Sequence, residues 1–173
     1  MNKKEPRNPI GYTDLLGVSG ISKTDLRVNL LGSLDEASAS LGMAKAFLPE
    51  GSDKTCLESC QKELSMLMGY VASIGTPNQQ KFASDFFQAE LEALEKRVNS
   101  IKTKVKMPKG FIYPGDTQAT GCLNMSRAII RRTERDLNIS LDQLGLQDLA
   151  IRQYLNRLSS LCYLLVLKYS HHE

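Results

Sequence analysis

Leu26, Leu30, Leu34, Ala37, Leu41, Ala44 and Leu48 recur at intervals of three and four, which lays one apolar stripe along a helix. The run Pro49-Glu50-Gly51-Ser52-Asp53 then ends it. A second stripe, Leu57, Leu64, Met68, Val71 and Ile74, stops at Gly75-Thr76-Pro77. A third joins Phe87, Leu91, Leu94, Val98 and Ile101, with Glu92 four residues before Lys96 as surface support. The segment KMPKGFIYPGD, residues 106–116, is broken by two prolines and two glycines and reads as a loop. Beyond it the spacing predicts a fourth helix over about 117–137 and a fifth over about 147–169. The fifth is the most apolar, carrying Leu149, Leu155, Leu158, Leu161, Leu165 and Val166.

No segment sustains an alternation of apolar and polar residues, so no sheet is expected, and an all-α bundle with short connections is the natural product. The first 23 residues stand apart. NPIGYTDLLGVSGISK holds three glycines and no helical stripe. Such a stretch feeding a helix N-terminus suits either a phosphate-cradling loop or a disordered leader.

A chain of 173 residues, 42% apolar and 24% charged, fits one domain with a sizeable core. A net charge of +3 gives no bulk grip on nucleic acid. No apolar run reaches membrane-span length and the opening MNKKEPRNPI has no signal-peptide core, so a cytoplasmic protein without membrane partners is expected. Cys56, Cys60, Cys122 and Cys162 lack zinc-site spacing, and His171 and His172 fall at the far end of the chain. The cysteines read as reduced, packed thiols, and no protein-held metal is assigned.

Charge concentrates locally instead. SRAIIRRTER, residues 126–135, carries four arginines. On a helix Arg127, Arg131 and Arg135 stack with Glu134 beside them, while Leu123, Ile130 and Leu137 take another face. Guanidinium groups this close repel, so something compensates: carboxylates on a solvated face, or a bound anion. Within the fifth helix Asn156, Ser159, Ser160 and Tyr163 share one face and interrupt its apolar surface, and Asp35 and Glu36 do the same on the first. Buried polar groups need partners, so these positions are expected to meet the arginines.

Five motifs in order, GYTDLLGVSGISK, GSLDE, FIYPG, RAIIRRTER and NRLSS, cover nearly the whole chain and resemble the PduO-type ATP:corrinoid adenosyltransferases. The resemblance implies a five-helix up-and-down bundle of the ferritin-like, cobalamin adenosyltransferase type, with residues 1–23 as an N-terminal glycine-containing ATP loop. It implies a homotrimer with active sites between subunits, and transfer of the adenosyl group of ATP, carried with Mg2+, to the cobalt of cob(I)alamin. A reductase would supply that reduced cobalamin.

Carried over by position, Gly11, Thr13 and Lys23 would belong to the ATP loop, and Arg131, Arg132, Glu134, Arg135 and Asn156 to the nucleotide contacts. Asp35 would pair with Arg131 across a subunit interface, both serving catalysis. Phe111 would cover the lower face of the corrin and exclude an axial ligand, with Arg127, Ser159 and Tyr163 lining the corrinoid side. Arg7, Asn8 and Pro9 stand where the family carries Thr-Gly-Asp, Gly20 replaces an arginine, Asn124 a histidine and Ser160 an aspartate. The altered loop supports a second reading, a non-catalytic corrinoid- or nucleotide-binding sensor or escort.

Overall fold

The computed structural model describes residues 9–77, 79 and 84–170; Arg7, Asn8, His171 and His172 lie outside them. Five helices follow in order: α1 (Leu26–Ala46), α2 (Ser52–Ser73), α3 (Ser84–Lys102), α4 (Gln118–Gln143) and α5 (Leu149–Tyr169). Ser52 and Asp53, expected in the α1 terminator, instead open α2. α4 continues six residues beyond Leu137, because Ser140 and Leu141 extend its buried face.

Cross-helix bonds give each helix its direction. Arg27 on α1 donates to the Ile74 carbonyl at the end of α2, and Gln61 on α2 donates to the Ser38 carbonyl, so these two run antiparallel. Ser33 meets Asp136, and Glu36 pairs with Arg132, so α1 and α4 are antiparallel. Asn156 meets Glu134 and Arg152 meets Asn138, which reverses α5 against α4. Glu95 on α3 pairs with Arg157, and Phe87 packs edge-on against Tyr154, so α3 and α5 run side by side in parallel. The result is an up-and-down bundle.

α5 is buried on nearly every side, from Ile151 and Tyr154 to the run Leu164–Leu167. Helix starts are held chemically. The Asp25 carboxylate accepts from the Arg27 amide and side chain, Thr117 and Thr120 form a reciprocal capping box at α4, and Asp148 caps α5 through the Ile151 amide.

Two polar groups, one buried and one half-buried, tie helices away from the arginine segment. Asp53, only 3% exposed, accepts from Arg97 on α3 and from Lys168 and Tyr169 on α5. Glu63 on α2 accepts from the Tyr154 hydroxyl, and burial pushes its carboxyl up to about 7. The cysteines are free; Cys60 and Cys162 are buried, and burial holds the Cys162 thiol up at about 12.

The absence of a sheet needs one correction. Tyr12–Leu15 (β1) and Val18–Ser22 (β2) pair antiparallel within the stretch read as a loop. Gly17 makes the turn at φ 80°, a left-handed conformation that suits glycine. The Gly20 amide donates to the Asp14 carboxylate at 3.0 Å beside an irregularity in the register. The Lys23 amide donates to the Gly11 carbonyl at 2.8 Å and closes the hairpin base. Strands this short, with both faces half exposed, leave too little alternation for a sequence pattern to register. Among the described residues no helix is long and apolar enough to cross a membrane.

Candidate active site

Two adjoining cavities open where the 106–116 loop, α4 and α5 meet. The first, about 440 Å3, is lined by Gly110 to Pro114 of the loop together with Asn124, Arg127 and Tyr163. The loop presents its side chains alternately. Ile112 packs against the bundle core, so its neighbours Phe111 and Tyr113 point outward, 86% and 85% exposed. Pro114 favours an extended backbone before it, which maintains that alternation. The two outward rings stack edge to face at 5.2 Å. So much aromatic surface left in solvent is unusual for a free loop and marks a binding face.

The second cavity, about 300 Å3, lies between α3, α4 and α5. Arg127 and Tyr163 belong to both walls, so the two spaces share a partition. Arg131, Arg157, Ser159 and Ser160 line the second, with Lys102 from the last turn of α3. The half-buried Arg127 donates from Nε to the Asn124 side-chain oxygen at 2.9 Å, a neutral acceptor that leaves its charge uncompensated. Arg131 is exposed and has no side-chain partner among the described residues. Ser159 and Ser160 hydroxyls donate back to the Asn156 carbonyl, at 2.8 and 3.1 Å.

The expected site residues therefore divide. Arg127, Arg131, Ser159 and Tyr163 gather around the second cavity, and Phe111 faces the first. Glu134 and Asn156 bond to each other at 2.9 Å and line an adjoining polar recess that also holds Arg152 and Arg157, the latter shared with the second cavity. Arg132 turns toward α1 and pairs with Glu36, while Arg135 folds back onto the Arg131 carbonyl at 2.9 Å. The ladder expected of Arg127, Arg131 and Arg135 thus brings two of its three groups into the cavities. Gly11, Thr13 and Lys23 sit on the hairpin and line neither cavity, and the exposed Asp35 has no partner within the chain among the described residues.

Sequence reasoning gave no role to Lys102, Met107 or Arg157, all three on the second cavity's wall. Arg157 was visible inside NRLSS, but nothing local marks Lys102, which arrives because α3 runs parallel to α5. Chemically, the arrangement offers an aromatic, partly open face beside a row of unmatched guanidinium groups. It suits a broad planar ligand next to an anion. Among the described residues no three His, Cys, Asp or Glu side chains lie close enough to hold a metal ion.

Comparison with known proteins matches residues 7–169 to the family model described as cobalamin adenosyltransferase. The chain is 31% identical over 158 residues to the corrinoid adenosyltransferase PduO of Salmonella typhimurium, covering 90% of this chain and 46% of that protein. It therefore spans about half the length of that relative. A corrinoid adenosyltransferase of Citrobacter freundii is 32% identical over 149 residues, covering 86% of this chain and 84% of its own. Among solved structures, a variant PduO-type ATP:corrinoid adenosyltransferase from Lactobacillus reuteri complexed with cobalamin and ATP superposes with a TM-score of 0.79. It is 25% identical and covers 91% of this chain and 87% of its own. A second variant of that enzyme, complexed with ATP, gives 0.76 at 28% identity, covering 91% and 88%.

Proposed function

The chain belongs to the cobalamin adenosyltransferase family, and from that premise we propose that it transfers the 5′-deoxyadenosyl group of ATP to the cobalt of cob(I)alamin, releasing triphosphate. The observation that carries this reading is the shared partition of Arg127 and Tyr163, which sets an aromatic face beside unmatched arginines. A planar acceptor and a polyanionic leaving group need such adjacency. Both structural neighbours named above were solved with ATP, one also with cobalamin, which supports the substrate pair.

Chemically the protein's task is placement and charge. Cob(I)alamin is itself a strong nucleophile, so its cobalt attacks the 5′-carbon once the two are aligned. The carbon–oxygen bond breaks and the electron pair leaves with the triphosphate. Arg131 meets the negative charge developing there, where a fixed cation stabilises the transition state more than the ground state. Arg132, Glu134, Arg135 and Asn156 hold the nucleotide, with the N-terminal segment 1–23 closing over it through Gly11, Thr13 and Lys23. Mg2+ would come with ATP and offset part of the triphosphate charge, and no residue of this chain is assigned to it. Phe111 covers the lower corrin face and keeps water from the cobalt, while Arg127, Ser159 and Tyr163 border the ring.

The site is completed by assembly. Asp35 pairs with Arg131 of a neighbouring subunit in a homotrimer, which supplies the partner each lacks among the described residues of its own chain. An exposed face of α1 and α4 favours such contact. Met43 follows Glu36 by two helical turns, and Met125 and Ile139 flank Arg132 at the same spacing, so apolar side chains surround the Glu36–Arg132 pair. A separate cytoplasmic reductase delivers the electron that makes cob(I)alamin.

An anaerobic assay with chemically reduced cobalamin and magnesium-ATP tests the proposal by the absorbance of adenosylcobalamin. Sedimentation reads the assembly. Binding of both ligands without product overturns catalysis in favour of the escort reading, which the altered Arg7-Asn8-Pro9 segment motivates.

A further inference from the structure

The 300 Å3 cavity carries more positive charge than the reacting groups explain. Lys102, Arg127, Arg131 and Arg157 converge on it from three helices, and among the described residues no carboxylate lines it. Glu95 engages Arg157 from outside, at 3.0 Å, with both side chains nearly half exposed. No ion pair or hydrogen bond among the described residues engages the Lys102 ammonium. Val98, Met107 and Leu164 supply an apolar wall. Of the nucleotide contacts only Arg131 reaches it: Glu134 and Asn156 bond to each other on an adjoining recess that shares Arg157 with it, and the hairpin residues line neither space. What the cavity does share with the aromatic face is Arg127 and Tyr163. A group reaching it would extend from the edge of a ring seated against Phe111.

We infer that this cavity is a subsite for an anionic group on the corrinoid periphery, a phosphodiester or free carboxylate, with Lys102 setting the preference. The inference rests on the adenosyl-transfer reading for its ligand. Arg157 contributes in proportion to how far Glu95 releases it, so the Glu95–Arg157 pair damps the preference. The charges are partly solvated, so their pull is modest and weakens with salt.

The test compares cobalamin, which carries a phosphodiester, with cobinamide, the same corrin without it. Lys102→Gln should raise the KM for cobalamin about fivefold and leave those for cobinamide and ATP within about twofold. Glu95→Gln frees Arg157 and should shift the cobalamin KM the opposite way, a reversal that a structural role would not produce. Lys102 is exposed, so its substitution leaves the packing in place. An equal rise for both corrinoids, a rise for ATP, or no change for any substrate overturns the subsite. Absorbance titration of each corrinoid without ATP separates the two claims. A protein that binds with this preference yet transfers nothing loses the enzymatic reading and keeps the subsite; one that transfers to both corrinoids equally does the reverse.

Discussion

Charge is handled in opposite ways on the two sides of α5. Toward α2 and α3, Asp53 is 3% exposed and meets Arg97, Lys168 and Tyr169, so one carboxylate fastens three helices. Toward α4, Arg131 and Lys102 stand open with no side-chain partner among the described residues, and Arg127 has only a neutral amide. Desolvated charge is tolerable only when answered, which makes the first side structural. Unanswered charge at a cavity keeps its water until a ligand replaces it, which makes the second side receptive. The difference separates two sets of charges that composition lumps together.

Substitutions should break that contrast in graded fashion. Asp53→Ala leaves Arg97 and Lys168 facing each other without their anion and should cost about 3–5 kcal/mol of unfolding free energy. Urea denaturation measures it, and turnover per folded molecule should persist; a loss under about 1 kcal/mol would mean the cluster is not structural. Arg131→Ala is the mirror case. Its rate constant should fall about a hundred- to a thousandfold in the anaerobic assay while the melting temperature holds. A mutant that melts early instead would place Arg131 with the structural charges.

Lys23→Ala removes one charge-assisted contact worth about 1.5–3 kcal/mol, so the KM for ATP should rise roughly ten- to a hundredfold with the corrinoid KM unchanged. No change would detach the hairpin from the nucleotide. The smallest effect concerns pH. Burial raises the Glu63 carboxyl in the folded protein to about 7, from an ordinary value of 4.5. Between those values the folded state holds the extra proton, so this group's contribution to stability declines as pH climbs from about 5 to 7 and is flat above. Glu63→Gln should flatten that portion of a melting-temperature profile. An unaltered slope would place Glu63 among the groups that titrate normally.

The bundle was legible because each helix shows an apolar stripe that α5 and its neighbours then bury; Leu30, Leu34, Leu123 and Leu158 are all at 1% exposure or less. What escaped has specific causes. Asp53 sits in a run of turn formers, and its partners arrive from far along the chain, Arg97 from α3 and Lys168 and Tyr169 from 115 and 116 positions away. The hairpin is too short for alternation to show. Arg131 and Arg132 are adjacent in sequence, but a helix turns about 100° between neighbours, so one reaches the cavity and the other Glu36. Lys102 depends on the parallel placement of α3 and α5, which no local pattern encodes.

The burial of α5 bears on how the chain is made. A ribosome delivers residues in order, and α1 to α4 emerge before the helix they enclose. Until positions 149–169 appear, Asp53 has neither Lys168 nor Tyr169, and the apolar faces of α3 and α4 lack the surface they share. The bundle therefore cannot be sealed progressively from its N-terminal side. Its core closes late, around the last helix of the bundle to be synthesised, and nascent chains halted before α5 should be the ones that chaperones hold.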